Sequence, residues 1–212
     1  MKNITEPSPP TSDVWEETYS SKDEGQRSWT QERPRDSLRF VDEVSLALDD
    51  AILDVGGGAS RLVDELVRRG YRDVSVLDLS PSALAEARSR VTDVTVQWIV
   101  GDVTTWSPTR TYRLWHDRAV FHFLVSLSDQ LRYFDTAARA IEPSGFLIVA
   151  AFSTSGPTTC SGLAVQRWSI DDLCQRFAER FTPRSSASLE HVTPWGSVQP
   201  FTWVLLQRDD EP

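Results

Sequence analysis

Between residues 51 and 152, short apolar runs alternate with amphipathic stretches of helical period, and this alternation constrains the fold more tightly than any other feature. Residues 51–55 form an apolar strand that runs into glycines. Residues 61–69 place Leu62, Val63, Leu66 and Val67 on one helical face and stop at Gly70. A second strand is expected at 74–79. Ser80-Pro81 then reads as a helix cap followed by proline at the first helical position, with helix to about residue 90. Strands follow at 94–100 and 112–117, a helix at 128–141, a turn at 142–145 and a strand at 146–152. Such alternation means α/β architecture with a doubly wound, mostly parallel sheet. After a helix at 169–181, two strands at about 185–192 and 198–207 are joined by about five residues. That is too short for a crossover, so they form an antiparallel hairpin.

The N-terminus does not follow this pattern. Residues 1–13 are rich in Pro, Ser and Thr and are expected to be a disordered tail. Residues 14–49 are polar but carry Trp15, Tyr19 and Trp29, and large aromatics in a hydrophilic segment point to docking. Leu38, Val41, Val44 and Leu48 predict a helix over 36–48. The expected organisation is therefore a tail (1–13), a helical lid segment (14–49) and one domain (50–208), in keeping with 212 residues.

Composition removes several function classes. No apolar run approaches the roughly 20 residues of a membrane helix, and no hydrophobic stretch follows Lys2 as in a secretory signal. Two cysteines, Cys160 and Cys174, are too few for a disulfide scaffold or an all-cysteine zinc site and suit a reducing, cytoplasmic setting. The net charge of -9 argues against a nucleic-acid partner, which needs a basic surface. Residues 1–50 hold 12 acids and 6 bases, so most of that charge lies before the α/β domain begins.

The chemistry is written in the turns after the strands. The first reads Ile52-Leu53-Asp54-Val55-Gly56-Gly57-Gly58-Ala59-Ser60-Arg61. Glycines let the backbone turn tightly and approach a ligand closely. The second strand ends at Asp78, where an acid can accept hydrogen bonds from ribose hydroxyls, and the third at Gly101-Asp102-Val103. A nicotinamide site wants a third glycine where Arg61 stands. Asp54, just before the glycines, would repel a diphosphate and suits a ligand with an ammonium group, which points to S-adenosylmethionine. Asp102 has a second reading, as a cap on the turn that follows it.

The set D-V-G-G-G (54–58), L-D-L-S (77–80), G-D-V (101–103) and E-P-S-G-F-L-I-V (142–149) resembles class I S-adenosylmethionine-dependent methyltransferases. The block L-W-H-D-R-A-V-F-H-F-L (114–124) and the Trp15…Tyr19…Trp29 run resemble thiopurine-methyltransferase-like enzymes and bacterial small-molecule methyltransferases. The resemblance implies a Rossmann-like sheet of seven strands, order 3-2-1-4-5-7-6. It implies that Asp54, Gly56, Gly57 and Gly58 hold the amino-acid end of the cofactor, Asp78 with Leu79 the ribose, and Asp102 with Val103 the adenine. It places His116 and Asp117 at the methionine moiety and Trp29 in the cover. Ser60 stands where the usual third glycine would be, and the N-P-P-Y motif of amino-directed nucleic-acid methyltransferases is lacking.

Ligands of doubly wound sheets sit beyond the carboxyl ends of the parallel strands. All three histidines, His116, His122 and His191, fall at that rim, with Cys160 and Trp195. The expected reaction is methyl transfer to a small-molecule nucleophile. His122 is the expected base where one is needed, and Arg118 orients an anionic substrate group. Phe121, Cys160, Trp168, His191 and Trp195 are the expected substrate contacts. No histidine or cysteine pair has tight metal-ligand spacing, so no metal is expected. The competing readings are a protein lysine methyltransferase, a non-catalytic cofactor-binding module and a nicotinamide dehydrogenase. A monomer or weak homodimer is expected.

Overall fold

The computed structural model describes residues 11–91 and 95–210, so most of the expected tail and the first residue of the expected 94–100 strand lie outside the described residues. Its centre is one seven-stranded sheet: β1 (Ile52–Val55), β2 (Val74–Asp78), β3 (Gln97–Val100), β4 (Tyr112–Arg118), β5 (Ile141–Phe152), then β8 (Phe181–Val192) and β9 (Val198–Arg208). The spatial order is β3-β2-β1-β4-β5-β9-β8. A separate two-stranded hairpin, β6 (Thr159–Cys160) and β7 (Leu163–Ala164), accounts for the numbering. Without it the order is the expected 3-2-1-4-5-7-6. The first five strands are parallel; β9 runs antiparallel to β5 and β8 antiparallel to β9.

Period-two alternation buries both sheet faces. On β5, Ile148, Ala150 and Phe152 join one core with Ile52, Val76, Leu114 and Trp203. Leu147, Val149 and Ala151 join the other with Leu53, Val55, Trp115 and Val204. Helices α2 (Arg35–Glu43), α3 (Leu62–Arg68) and α4 (Pro81–Arg90) supply residues to the first core. Helices α5 (Leu127–Ala140) and α6 (Ile170–Phe177) supply the second. The Ser80 side chain accepts from the Ala83 N–H, with Pro81 opening α4, so the expected cap is formed.

Several boundaries differ from the sequence reading: the expected 94–100 strand begins at Gln97, the expected 169–181 helix ends at Phe177, the strand expected from about 185 already begins at Phe181, and three more shift as follows. The helix α1 spans Ser12–Ser21, so it takes in the last residues of the expected tail. Helix α2 ends at Glu43; Val44 turns extended, and Leu48 is 45% exposed instead of serving the core. Strand β5 begins at Ile141, because the expected turn at 142–145 is absorbed as an irregularity in the pairing with β4, between Tyr112 and Leu114.

Candidate active site

A cavity of about 1400 Å³, counting its mouth, lies at the carboxyl ends of β1, β2 and β4. Its floor begins at the glycine turn. Gly56 has φ +65°, and a Cβ there would come within 2.0 Å of the Val120 side chain. Gly58 has φ +41°, and its Cβ would sit 2.9 Å from both Asp78 Oδ2 and the Tyr19 hydroxyl. Both positions need glycine for conformation and for space. Gly56 and Gly57 line the cavity, as do Asp54, Asp78, Leu79, Asp102 and Val103. Gly58 closes the turn beneath Asp78.

Each acid is held for a different reason. Asp54 Oδ1 takes a hydrogen bond from His116 Nδ1 at 2.7 Å, and both side chains are buried. Asp54 Oδ2 is buried without a partner, which leaves one carboxylate oxygen for a donor from a ligand. Asp78 accepts from the Ser80 N–H at 2.8 Å. Burial pushes its pKa up to about 7, and the nearby Asp54 adds to the rise. Asp102 accepts from the Thr104 N–H and hydroxyl through Oδ1. It caps the turn and also lines the cavity.

The N-terminal segment roofs this floor. Trp15, Tyr19, Arg27, Ser28 and Trp29 all line the cavity. Trp15 packs edge-on against Trp29 at 5.8 Å and Phe123 at 5.1 Å, and Tyr19 against Trp29 at 6.0 Å. Arg27 lies 4.5 Å over the Tyr19 ring and pairs with Glu86 at 2.8 Å. Arg61 pairs with Glu24 at 3.0 Å. Glu16 accepts from the Ser80 hydroxyl at 2.8 Å and the Ser82 N–H at 3.0 Å, which ties α1 to the start of α4.

The far end is built from Arg118, His122, Phe152, Cys160, Gln199 and Phe201. Arg118 Nη1 donates to the Trp29 carbonyl at 3.0 Å, and its guanidinium carbon lies 5.2 Å over the Phe201 ring. Burial lowers its pKa to about 10, so it stays charged at neutral pH. Burial, with Arg118 nearby, lowers His122 to about 3. The Phe152 N–H faces its Nδ1 at 3.4 Å, which favours the neutral tautomer with the proton on Nε2. Nε2 is buried without a partner. In that tautomer His122 is arranged to donate through Nε2, and its lone pair is turned to the backbone.

Other expected contacts are not brought to the cavity. Strand pleating puts neighbours on opposite faces, so His116 lies behind Asp54 and Asp117 points to the second core. There the Asp117 carboxylate accepts from the Val120 and Phe121 N–H groups and the Tyr133 hydroxyl, which fixes the turn that carries Arg118. Phe121 is fully buried against Tyr133, Trp168 and Phe177. Trp168 is held in that same core, its N–H and carbonyl engaged by Phe152 and Thr202. Trp195 stands in the β8–β9 turn, 57% exposed. His191 Nε2 donates to the Ser28 carbonyl at 2.5 Å, and burial lowers its pKa to about 4. It braces the roof and does not line the cavity. Tyr19 was visible in the aromatic run, but Arg27, Ser28, Gln199 and Phe201 carry no local signal. Among the described residues, no group of three or more His, Cys, Asp or Glu side chains is arranged to hold a metal ion, and no helix is long and apolar enough to cross a membrane.

Residues 52–145 match the family model described as a methyltransferase domain. The N-methyltransferase NodS from Bradyrhizobium japonicum WM9, solved with S-adenosyl-L-homocysteine, has a TM-score of 0.70 at 16% identity, over 94% of this chain and 99% of that one. A SAM-dependent methyltransferase from Anabaena variabilis ATCC 29413 has a TM-score of 0.72 at 15% identity, over 98% and 99%. A structure described for the conversion of a disulfide bond into a thioacetal group during echinomycin biosynthesis has a TM-score of 0.76 at 19% identity, over 95% and 93%. At these identities the likeness is one of fold. No curated protein matches the chain.

Proposed function

We propose that the chain is a class I S-adenosylmethionine-dependent methyltransferase, in keeping with the methyltransferase-domain match over residues 52–145, and that it methylates a small-molecule nucleophile inside the roofed cavity. S-adenosylmethionine, when bound, supplies an electrophilic sulfonium methyl that is taken by in-line displacement, leaving S-adenosylhomocysteine. The residues present fit it. The unpartnered Asp54 Oδ2 suits the ammonium group. Asp78 suits the ribose hydroxyls. Asp102 and Val103 suit the adenine, Leu79 lies in the lining beside Asp78 for the ribose, and the glycine turn offers backbone access.

The chain's contribution is alignment and exclusion of water. The observation that carries the small-molecule reading is the aromatic roof: Trp15, Tyr19 and Trp29 cover the cavity where a lysine methyltransferase needs an open, acidic rim. We take residues 14–49 as a lid that opens for exchange. One chain lines the whole cavity, which suits a monomer or weak homodimer, and two free cysteines suit the cytoplasm.

The test is incubation with methyl-labelled S-adenosylmethionine and a fractionated cell extract. Label is expected in a low-molecular-mass product. Label confined to protein, or to none of the fractions, overturns the reading.

A further inference from the structure

Three arginines line the cavity, and two are neutralised: Arg27 by Glu86 and Arg61 by Glu24. Arg118 is different. Among the described residues no carboxylate lies within salt-bridge distance of it, Asp36 and Asp54 act on its charge only from farther off, and its guanidinium donates through Nη1 to the Trp29 carbonyl. Its Nη2 is sealed from solvent without a partner. An unpaired cation in a low-dielectric site is costly and calls for an anion. The fully buried His122 contributes a second unpartnered nitrogen, Nε2, at the same end of the cavity. Phe123, Phe152 and Phe201 supply apolar walls around both, which strengthens any charge-assisted hydrogen bond formed there.

We propose that Arg118 Nη2 and His122 Nε2 form a seat for a carboxylate of the methyl acceptor, which makes the substrate a small organic acid. Both nitrogens donate and neither accepts, so the seat selects an anion over an amide or an alcohol. One cation and two donors match a carboxylate; a phosphate dianion would leave acceptors unmatched in an apolar pocket. The seat lies at the opposite end of the cavity from Asp102 and Val103. The methionine carboxylate of the cofactor has the same chemistry, and the experiment separates the two sources.

The inference rests on the small-molecule reading above. Protein saturated with S-adenosylhomocysteine is titrated calorimetrically with benzoate, phenylacetate and indole-3-acetate and with their amides. At least one acid is expected to bind about ten-fold or more tighter than its amide. Arg118→Gln abolishes that margin, while Arg118→Lys keeps part of it. If no acid exceeds its amide with the wild-type protein, the seat is refuted, whatever the variants do. If Arg118→Gln weakens S-adenosylhomocysteine about ten-fold or more, with Arg118→Lys restoring it, Arg118 serves the cofactor and the proposal falls. Methyl transfer to some other small molecule would then leave the broader reading standing.

Discussion

With Asp78 on the cofactor ribose as proposed, this residue should make cofactor binding depend on pH, with a sign opposite to its effect on the free protein. It ends β2, 8% exposed, and its pKa is raised to about 7, chiefly by burial and further by Asp54; N–H groups of Ser80, Gly58 and Leu79 pull it back. Ribose hydroxyls donate to the ionised carboxylate, so binding selects that form and releases a proton wherever Asp78 was protonated. The apparent dissociation constant scales as one plus the protonated-to-ionised ratio. It is therefore about ten-fold weaker at pH 6 than at pH 8, and about two-fold weaker at pH 7. For folding, the native pKa lies above the unfolded value, so the native state binds more protons between the two. Asp78's contribution to stability is complete below about pH 4 and is lost as pH rises through 7, by about 4 kcal/mol at most. S-adenosylhomocysteine should be titrated calorimetrically from pH 5.5 to 8.0 in two buffers of different ionisation enthalpy. Proton release should approach one per site at the acid end and fade toward pH 8. Asp78→Asn should weaken binding about ten-fold at pH 8 and flatten the profile. Wild-type affinity that does not change across this range, or proton uptake on binding, would refute the reasoning.

Two further outcomes test the frame around the site. Tyr133 accepts from Trp115 Nε1 at 2.9 Å and donates to Asp117 at 2.7 Å, all three side chains being buried. Tyr133→Phe should therefore cost about 2 kcal/mol, a fall of roughly 4–8 °C in thermal midpoint, and an unchanged midpoint would show that the network contributes nothing. Arg27 is 4% exposed and bonds Glu86 as well as the Lys22 carbonyl. Arg27→Met should loosen the roof and speed tryptic cleavage at Lys22 about ten-fold or more; cleavage at the wild-type rate would mean that the roof is held without it.

The sheet was legible in the sequence because it is a one-dimensional pattern. Apolar strands, capped helices and glycine turns announce themselves within ten residues, and the proposed cofactor end of the site consists of such local signals: Asp54 to Gly58, Asp78, Asp102. The far end obeys a different rule. In the 114–124 block, every residue of chemical interest follows another directly, and which of two neighbours faces the cavity is decided by strand parity. Parity comes from pairing: Asp54 lies beside His116, and Val55 beside Asp117, in the parallel register of β1 and β4. Residues side by side in register share a face, so Asp54 carries His116 and Arg118 to its own side and sends Trp115 and Asp117 to the other. The short helical turn at Phe121–Phe123 divides its residues by helical geometry instead, with His122 and Phe123 at the cavity and Phe121 in the second core. Phe201 and Ser28 reach the site from segments 173 positions apart, brought together only when β9 pairs with β5 and the roof closes. The motif could point to a ligand because its residues are contiguous. The substrate end had to wait for tertiary structure, since its specificity rests on which charge is left without a partner, and pairing is a property of the assembled fold.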